Sequence, residues 1–305
     1  MARLRATTKL RASARREAAS HGRTTRGPLV LKLGGELLEQ PEDIERVARA
    51  IAALSPGPRA GSRRRAAPGP QLVVVHGGGK EIDAALAVAG IEKRQVDGLR
   101  VTDAATLEVV VAVLAGAINT RLVAAIRRAG GKPVGLTGAD ASVVTVKRLA
   151  PVKTVAGDVV DLGLVGAPVD NGRPQLLSDL MQRGYVPVIA CVGATRDGRL
   201  MNVNADTLAS HLARAIGARR LVIAGGTSGV LDEQGQTIAR MTGREAARLI
   251  KAGTANKGMV AKLQACRAAL AGGVRDVVIA NGRDSRLDAV ALDTAPATGC
   301  TQVVR

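Results

Sequence analysis

The chain has 305 residues with a formal charge of +18, and it contains one Tyr, no Phe and no Trp. Its length supports one large α/β unit or two lobes around a full apolar core, and three scattered cysteines, Cys191, Cys266 and Cys300, indicate neither a disulfide framework nor a CxxC metal site and fit a reducing cytoplasm. No apolar run approaches the roughly 20 residues of a membrane helix, and the lack of aromatic side chains for base stacking argues against nucleic-acid binding as the primary function.

Residues 1–27 hold eight basic side chains against Glu17 alone. Their Arg-, Ala-, Ser- and Thr-rich composition resembles a transit peptide; a disordered arm, an oligomerisation helix or a misplaced start codon fits equally. Residues 29–38, LVLKLGGELL, read as a buried strand that turns at Gly34 and Gly35 into a helix, a natural anion site beside Lys32. An amphipathic helix follows over 43–54, with Ile44, Val47, Ile51 and Leu54 on one face. Residues 55–70, rich in Pro, Gly and Arg, read as a flexible surface loop carrying Arg59, Arg63, Arg64 and Arg65. Much of the charge is therefore peripheral.

Residues 72–86, LVVVHGGGKEIDAAL, repeat the strand, glycine turn and helix. Two such units predict a doubly wound, mainly parallel sheet whose ligand sits at the C-terminal strand ends. Lys80 completes GGGK without the spacing of a Walker P-loop, and no GxSxG elbow accompanies HGGG. Arg100, in GLRVTD, suits a carboxylate clamp, although a solvated arginine is the plainer reading. A helix over 104–115 is capped by Thr102 or Asp103, and short strands follow at 134–136 and 142–146, then turn-rich hairpin material over 158–173. A strand over 185–191 precedes LMNVNADTLASHLARAIGA (200–218), where Asn202, Asn204 and Asp206 enter a helix as ligand contacts or as caps; His211 within that helix reads as an ordinary packed residue. Further strands are predicted at 221–224 and 277–280, and a helix begins at Lys262.

Six strings, KLGG at 32–35, VVHGGGKEID at 74–83, GLRVTD at 98–103, LMNVNADT at 200–207, SGVLD at 228–232 and GMVAK at 258–262, occur in the order and spacing of the amino acid kinase family, which the chain resembles over residues 29–301. The resemblance implies an open, mainly parallel αβα sandwich with an acceptor lobe (28–217) and a nucleotide lobe (218–305). It implies transfer of the γ-phosphoryl of ATP to the side-chain carboxylate of N-acetyl-L-glutamate in arginine biosynthesis. Lys32 and Lys262 would stabilise the transition state and Asp206 would hold both ammonium groups. Gly78, Gly79, Arg100 and Asn202 would bind the acceptor. The nucleotide would contact Gly34, Gly35, Gly226, Thr227, Ser228, Gly229, Val230, Leu231, Thr254, Ala255 and Asn256, with Mg²⁺ held mainly through it. Where members of the family commonly carry an aspartate, this chain has Gly226, which puts nucleotide affinity in question. A carrier-linked glutamate or aminoadipate kinase and a non-catalytic metabolite sensor are alternatives on the same fold. Residues 1–27 lack the apolar stripe of a hexamer-forming helix, so a homodimer without arginine inhibition is expected.

Overall fold

The computed structural model describes residues 27–55, 70–154, 157–253, 257–283, 286–292 and 299–305. The predicted arm over 1–27 therefore lies outside them apart from Gly27, and most of the loop over 55–70 lies outside them as well. Eight strands form one sheet: β1 (Leu29–Leu33), β2 (Leu72–His76), β3 (Pro133–Thr137), β4 (Val186–Ala190), β5 (Arg220–Gly225), β6 (Arg240–Thr242), β7 (Asp276–Asn281) and β8 (Cys300–Val304). Their spatial order is β6-β8-β7-β5-β1-β2-β4-β3. The run from β7 to β3 is parallel, β8 is antiparallel to β7, and β6 is parallel to β8. The expected mainly parallel sheet is thus present.

Continuous apolar strands explain the arrangement. Every residue of β1, β2, β4 and β5 is buried, as strands covered on both faces require. The covering helices are α1 (Pro41–Leu54), α2 (Gly79–Val88), α3 (Ala104–Arg128), α4 (Gln175–Gln182), α5 (Ala205–Ala215), α6 (Gly243–Ala252), α7 (Lys257–Ala271) and α8 (Leu287–Leu292). Helix α1 buries the predicted row Ile44, Val47, Ile51 and Leu54, and Asp103 caps α3 through the Thr106 N–H at 2.9 Å. Without Phe or Trp, the core is filled by Leu, Ile, Val, Ala and Met.

Several elements depart from the sequence reading. Helix α3 runs 13 residues beyond the predicted end, and its middle, Ala112–Ile118, adopts π geometry. At 25 residues it is the one helix among the described residues long and apolar enough to cross a membrane, which corrects the expectation that no segment approaches that length. Glu108, Asn119 and Arg121 interrupt the strict apolar run, yet the helix remains apolar overall. Its Val110, Leu114, Ile118, Leu122 and Ile126 are buried in the core. Residues 140–142 form a 3₁₀ turn, and the short strand predicted there starts at Val146, paired with Gly166–Pro168. Helix α7 starts at Lys257, which places Lys262 in its second turn. Strands β6 and β8 and helices α4, α6 and α8 were not signalled; β6 has three residues, too few for a period to register.

Arg220 and Asp276, at the N-terminal ends of β5 and β7, form a buried two-point ion pair, Nε–Oδ1 2.6 Å and Nη2–Oδ2 2.9 Å, and Arg220 Nη1 donates to the Val290 carbonyl at 2.8 Å. Removing one partner strands a buried charge. Asp276→Ala is expected to cost about 3–5 kcal/mol in urea unfolding; an unchanged midpoint would show that the pair is dispensable.

Candidate active site

The chain passes from β1 to β2 on one side and later returns to β5 on the other, so β1 is a switch point, where open α/β sheets bind ligands at the C-terminal strand ends. Gly34 follows β1, residues 77–79 follow β2 and Gly226 follows β5. Backbone hydrogen bonds tie these turns together: Gly34 N–H donates to Ala224 O at 2.8 Å, Gly77 N–H to Leu33 O at 3.2 Å and Gly282 N–H to Gly225 O at 2.7 Å. A Cβ on Gly35 would lie 2.9 Å from Gly79 N, so the two glycine turns stand backbone to backbone. A Cβ on Gly78 would collide with Ile118 and crowd Leu114. The π segment of α3 thus sits directly against the turn.

Lys32 on β1 is buried, and its Nζ lies 2.8 Å from Oδ1 of buried Asp206 in the first turn of α5. Burial alone would lower the lysine pKa; the Asp206 carboxylate, with a smaller contribution from Glu36, outweighs it and raises the pKa above the ordinary value. Lys32 is therefore an ammonium. Asn204 caps α5, accepting from the N–H groups of Asp206 and Thr207 at 3.0 Å each, and so fixes the turn that presents the carboxylate. Lys262 is half-buried on α7, with its Cε 3.6 Å from the position a Cβ would take on Gly225. Lys262 thus stands at the end of β5, beside the strand that carries Lys32, but among the described residues Asp206 forms an ion pair with Lys32 and none with Lys262.

On the other side of the crevice, Arg100 is buried, which corrects the plainer reading of a solvated arginine. Its Nη2 donates to Gly79 O at 3.2 Å and to the Asp83 carboxylate, while Nη1 is buried without a hydrogen-bond partner among the described residues. A guanidinium nitrogen of this kind is a ready donor for an incoming anion. Asn202 donates through Nδ2 to Thr102 Oγ1 at 3.1 Å, and that hydroxyl donates to Arg100 O at 3.2 Å, joining Asn202 and Arg100 in one network. Gly79 opens α2 with no side-chain cap, leaving first-turn N–H groups for a ligand. Lys80 instead pairs with Glu39 at 3.0 Å on the surface.

The loop after β5 follows the predicted nucleotide segment. Gly226 and Thr227 are exposed, Val230 N–H donates to Thr301 Oγ1 at 2.7 Å, and a Cβ on Gly229, whose φ is +78°, would lie 2.5 Å from that oxygen. Beside it opens a cavity of about 770 Å³ lined by Thr227, Leu231, Ile238, Arg240, Leu249 and Met259 among others. Ser228 accepts from Thr237 Oγ1 through its carbonyl at 2.9 Å. Thr254, Ala255 and Asn256 lie outside the described residues. Tyr185 precedes β4, at the opposite end of the sheet from the crevice, so it stacks on no ligand there.

The model of the amino acid kinase family matches residues 27–281. The chain belongs to the amino acid kinase family. It is 42% identical over 278 residues to an acetylglutamate kinase of Anaeromyxobacter dehalogenans, covering 90% of this chain and 98% of that one. It is 39% identical over 260 residues to one of Parvibaculum lavamentivorans, covering 84% and 81%. The amino acid kinase fold is also seen in a carbamate kinase from Giardia lamblia bound to AMP-PNP, at TM-score 0.61 and 15% identity over 92% of this chain and 99% of that chain. An N-acetylglutamate synthase from Neisseria gonorrhoeae, complexed with coenzyme A and N-acetyl-glutamate, aligns at TM-score 0.74 and 24% identity over 96% of this chain. This chain spans 63% of that longer one.

Two features of this amino acid kinase site went unread in the sequence. One is the carboxylate of Glu36, which accepts from Gly226 N–H at 2.9 Å. The other is the buried pair beneath the second glycine turn: Asn119 Nδ2 donates to His76 Nε2 and to Val188 O, both at 3.0 Å. With Nε2 an acceptor, the ring proton sits on Nδ1, 3.1 Å from Gly77 O. Burial depresses the His76 pKa to about 4. The unfolded imidazole takes its proton near pH 6.5 and the native one only near 4. The stability tied to neutral His76 is therefore complete above 6.5 and lost as pH falls through 4, on the order of 3 kcal/mol in all. His76→Asn is expected to flatten the stability profile across that window, read by denaturant unfolding at successive pH values; a parallel profile would exclude His76 as the source.

Proposed function

We propose that the chain is an ATP-dependent acetylglutamate kinase, transferring the γ-phosphoryl group to the side-chain carboxylate of N-acetyl-L-glutamate in arginine biosynthesis. The observation that carries this reading is the pair of cationic centres facing one crevice: the Lys32–Asp206 pair with Lys262 at the end of β5 on one side, and the buried Arg100 Nη1, unpartnered among the described residues, on the other. Identity of about 40% to acetylglutamate kinases over most of the chain supports it.

In this reading the acceptor's α-carboxylate takes the free Arg100 donor, with Asn202 and the Gly78–Gly79 turn beside it. The nucleotide occupies the cavity after β5, with its phosphates on the amides around Gly34, Gly35 and Gly226. Residues 254–256 and Thr227, Ser228, Gly229, Val230 and Leu231 remain the assigned nucleotide contacts, and a boundary near Gly217 separates the acceptor and nucleotide lobes. Attacking carboxylate and polyphosphate repel each other, so transfer depends on fixed positive charge that holds them in line. Lys32, kept protonated and oriented by Asp206, supplies it from the sheet; Lys262 supplies it from α7.

No group of three or more His, Cys, Asp or Glu side chains among the described residues could hold a metal. That composition fits Mg²⁺ bound mainly by nucleotide oxygens and water with at most one or two carboxylates, for which Asp206 and Glu36 are at hand. Bound there, Mg²⁺ would offset polyphosphate charge.

Acyl phosphate trapped as hydroxamate is the direct test. Lys262→Ala is expected to lower kcat about a hundredfold with the fold intact, whereas Arg100→Gln should chiefly raise KM for N-acetyl-L-glutamate. Near-normal turnover of the first variant, or no acyl phosphate from the parent, would overturn the reading.

A homodimer is proposed as the assembly. Supporting it, β3 ends the sheet with its outer edge unpaired among the described residues, and Val109, Val111 and Val113 of α3 are only half-buried. Size-exclusion with light scattering is expected to give a dimer unchanged by added arginine; a hexamer would refute this.

A further inference from the structure

Glu36 follows the first glycine turn, and its carboxylate reaches across the switch point to the first residue after β5, taking Gly226 N–H on Oε1. The carboxylates around it are matched by cations: Asp206 by Lys32, Glu39 by Lys80, Asp43 by Arg46 and Arg283. Glu36 has no cation within ion-pair distance and Oε2 has no hydrogen-bond partner among the described residues. Oε1 lies 2.9 Å, and Lys262 Cε 3.6 Å, from the same point, the Cβ position of Gly225. The space beside Gly34 is also taken by this carboxylate, and a Cβ there would collide with it. A carboxylate that forms no ion pair among the described residues, although its charge reaches Lys32 and Arg283, therefore stands among the backbone amides assigned to the phosphates.

A carboxylate and a polyphosphate sharing one set of donors repel each other unless a cation lies between them. Mg²⁺ in phosphoryl-transfer sites takes one or two carboxylates together with substrate phosphates. We propose that Glu36 is a direct ligand of the divalent cation that accompanies the nucleotide, so that the protein itself, and not the nucleotide alone, holds the metal. The proposal rests on the reading of the chain as an ATP-dependent kinase.

The test is equilibrium binding of ADP to the full chain and to its Glu36→Gln variant, in excess Mg²⁺ and in EDTA. Water-proton relaxation of the Mn²⁺·ADP complex gives a second readout. The parent is expected to bind ADP more tightly with Mg²⁺. In Glu36→Gln the ratio of EDTA to Mg²⁺ dissociation constants should fall about tenfold, with affinity in EDTA equal to the parent's or tighter, which also shows that the variant is folded. Glu36→Asp, with the charge drawn back, should fall between the two, and the Mn²⁺ relaxation enhancement should change in the same order. An unchanged ratio would overturn the proposal, as would equal tightening in both media, the mark of an internal anion that merely competes with phosphate. Absence of ADP binding by the folded parent in either medium would overturn the kinase reading and this proposal with it.

Discussion

The structure is organised around one buried ion pair, Lys32 with Asp206. An ammonium on the central strand of a sheet covered on both faces is costly to bury alone, and a carboxylate at 2.8 Å makes it tolerable. That requirement brings the first turn of α5 to the end of β1 and so sets where the crevice lies. Asn204 holds the turn by its N–H groups, and Asp206, once there, keeps Lys32 protonated. A fixed cation at the switch point is thus a consequence of the packing, and the phosphoryl-transfer reading draws on it directly.

The second constraint is the close approach of backbones. Gly35 and Gly79 nearly touch, Gly78 lies against Ile118, and the turns are linked by main-chain hydrogen bonds to Leu33 and Ala224. Side chains at these positions would push β1 and β2 apart. The neutral pair of His76 and Asn119 lies below the second glycine turn and adds no charge to a region rich in cations. Donors here are largely backbone amides, well suited to anions because they need no reorganisation on binding.

Much of this was legible in the residues. Apolar runs at 29–33, 72–76 and 186–190 announced buried parallel strands, and the glycines after two of them announced turns, because strand period and glycine geometry are local properties. Lys32, Asp206, Lys262 and Arg100 could be singled out by motif. The edge strand β6 and its neighbour β8 could not, since β6 spans three residues and β8 reverses direction by a pairing that only its neighbour decides. The length of α3 was also missed, because π geometry and packing carry it past the polar residues that break its apolar pattern.

The sequence by itself determined the alternation of strands and helices, the glycine turns and the kinds of charge available, all set by neighbours within a few residues. Only the tertiary structure decided which charges meet. It buried Arg100 with one nitrogen unpartnered, paired Lys32 with a carboxylate 174 positions away and laid Glu36 on the amide of Gly226. The physical reason is that these contacts depend on strand order. A backbone N–H at the end of β5 has no signature in the chain, and a glutamate in a turn reads as a surface residue until the sheet places that N–H beside it.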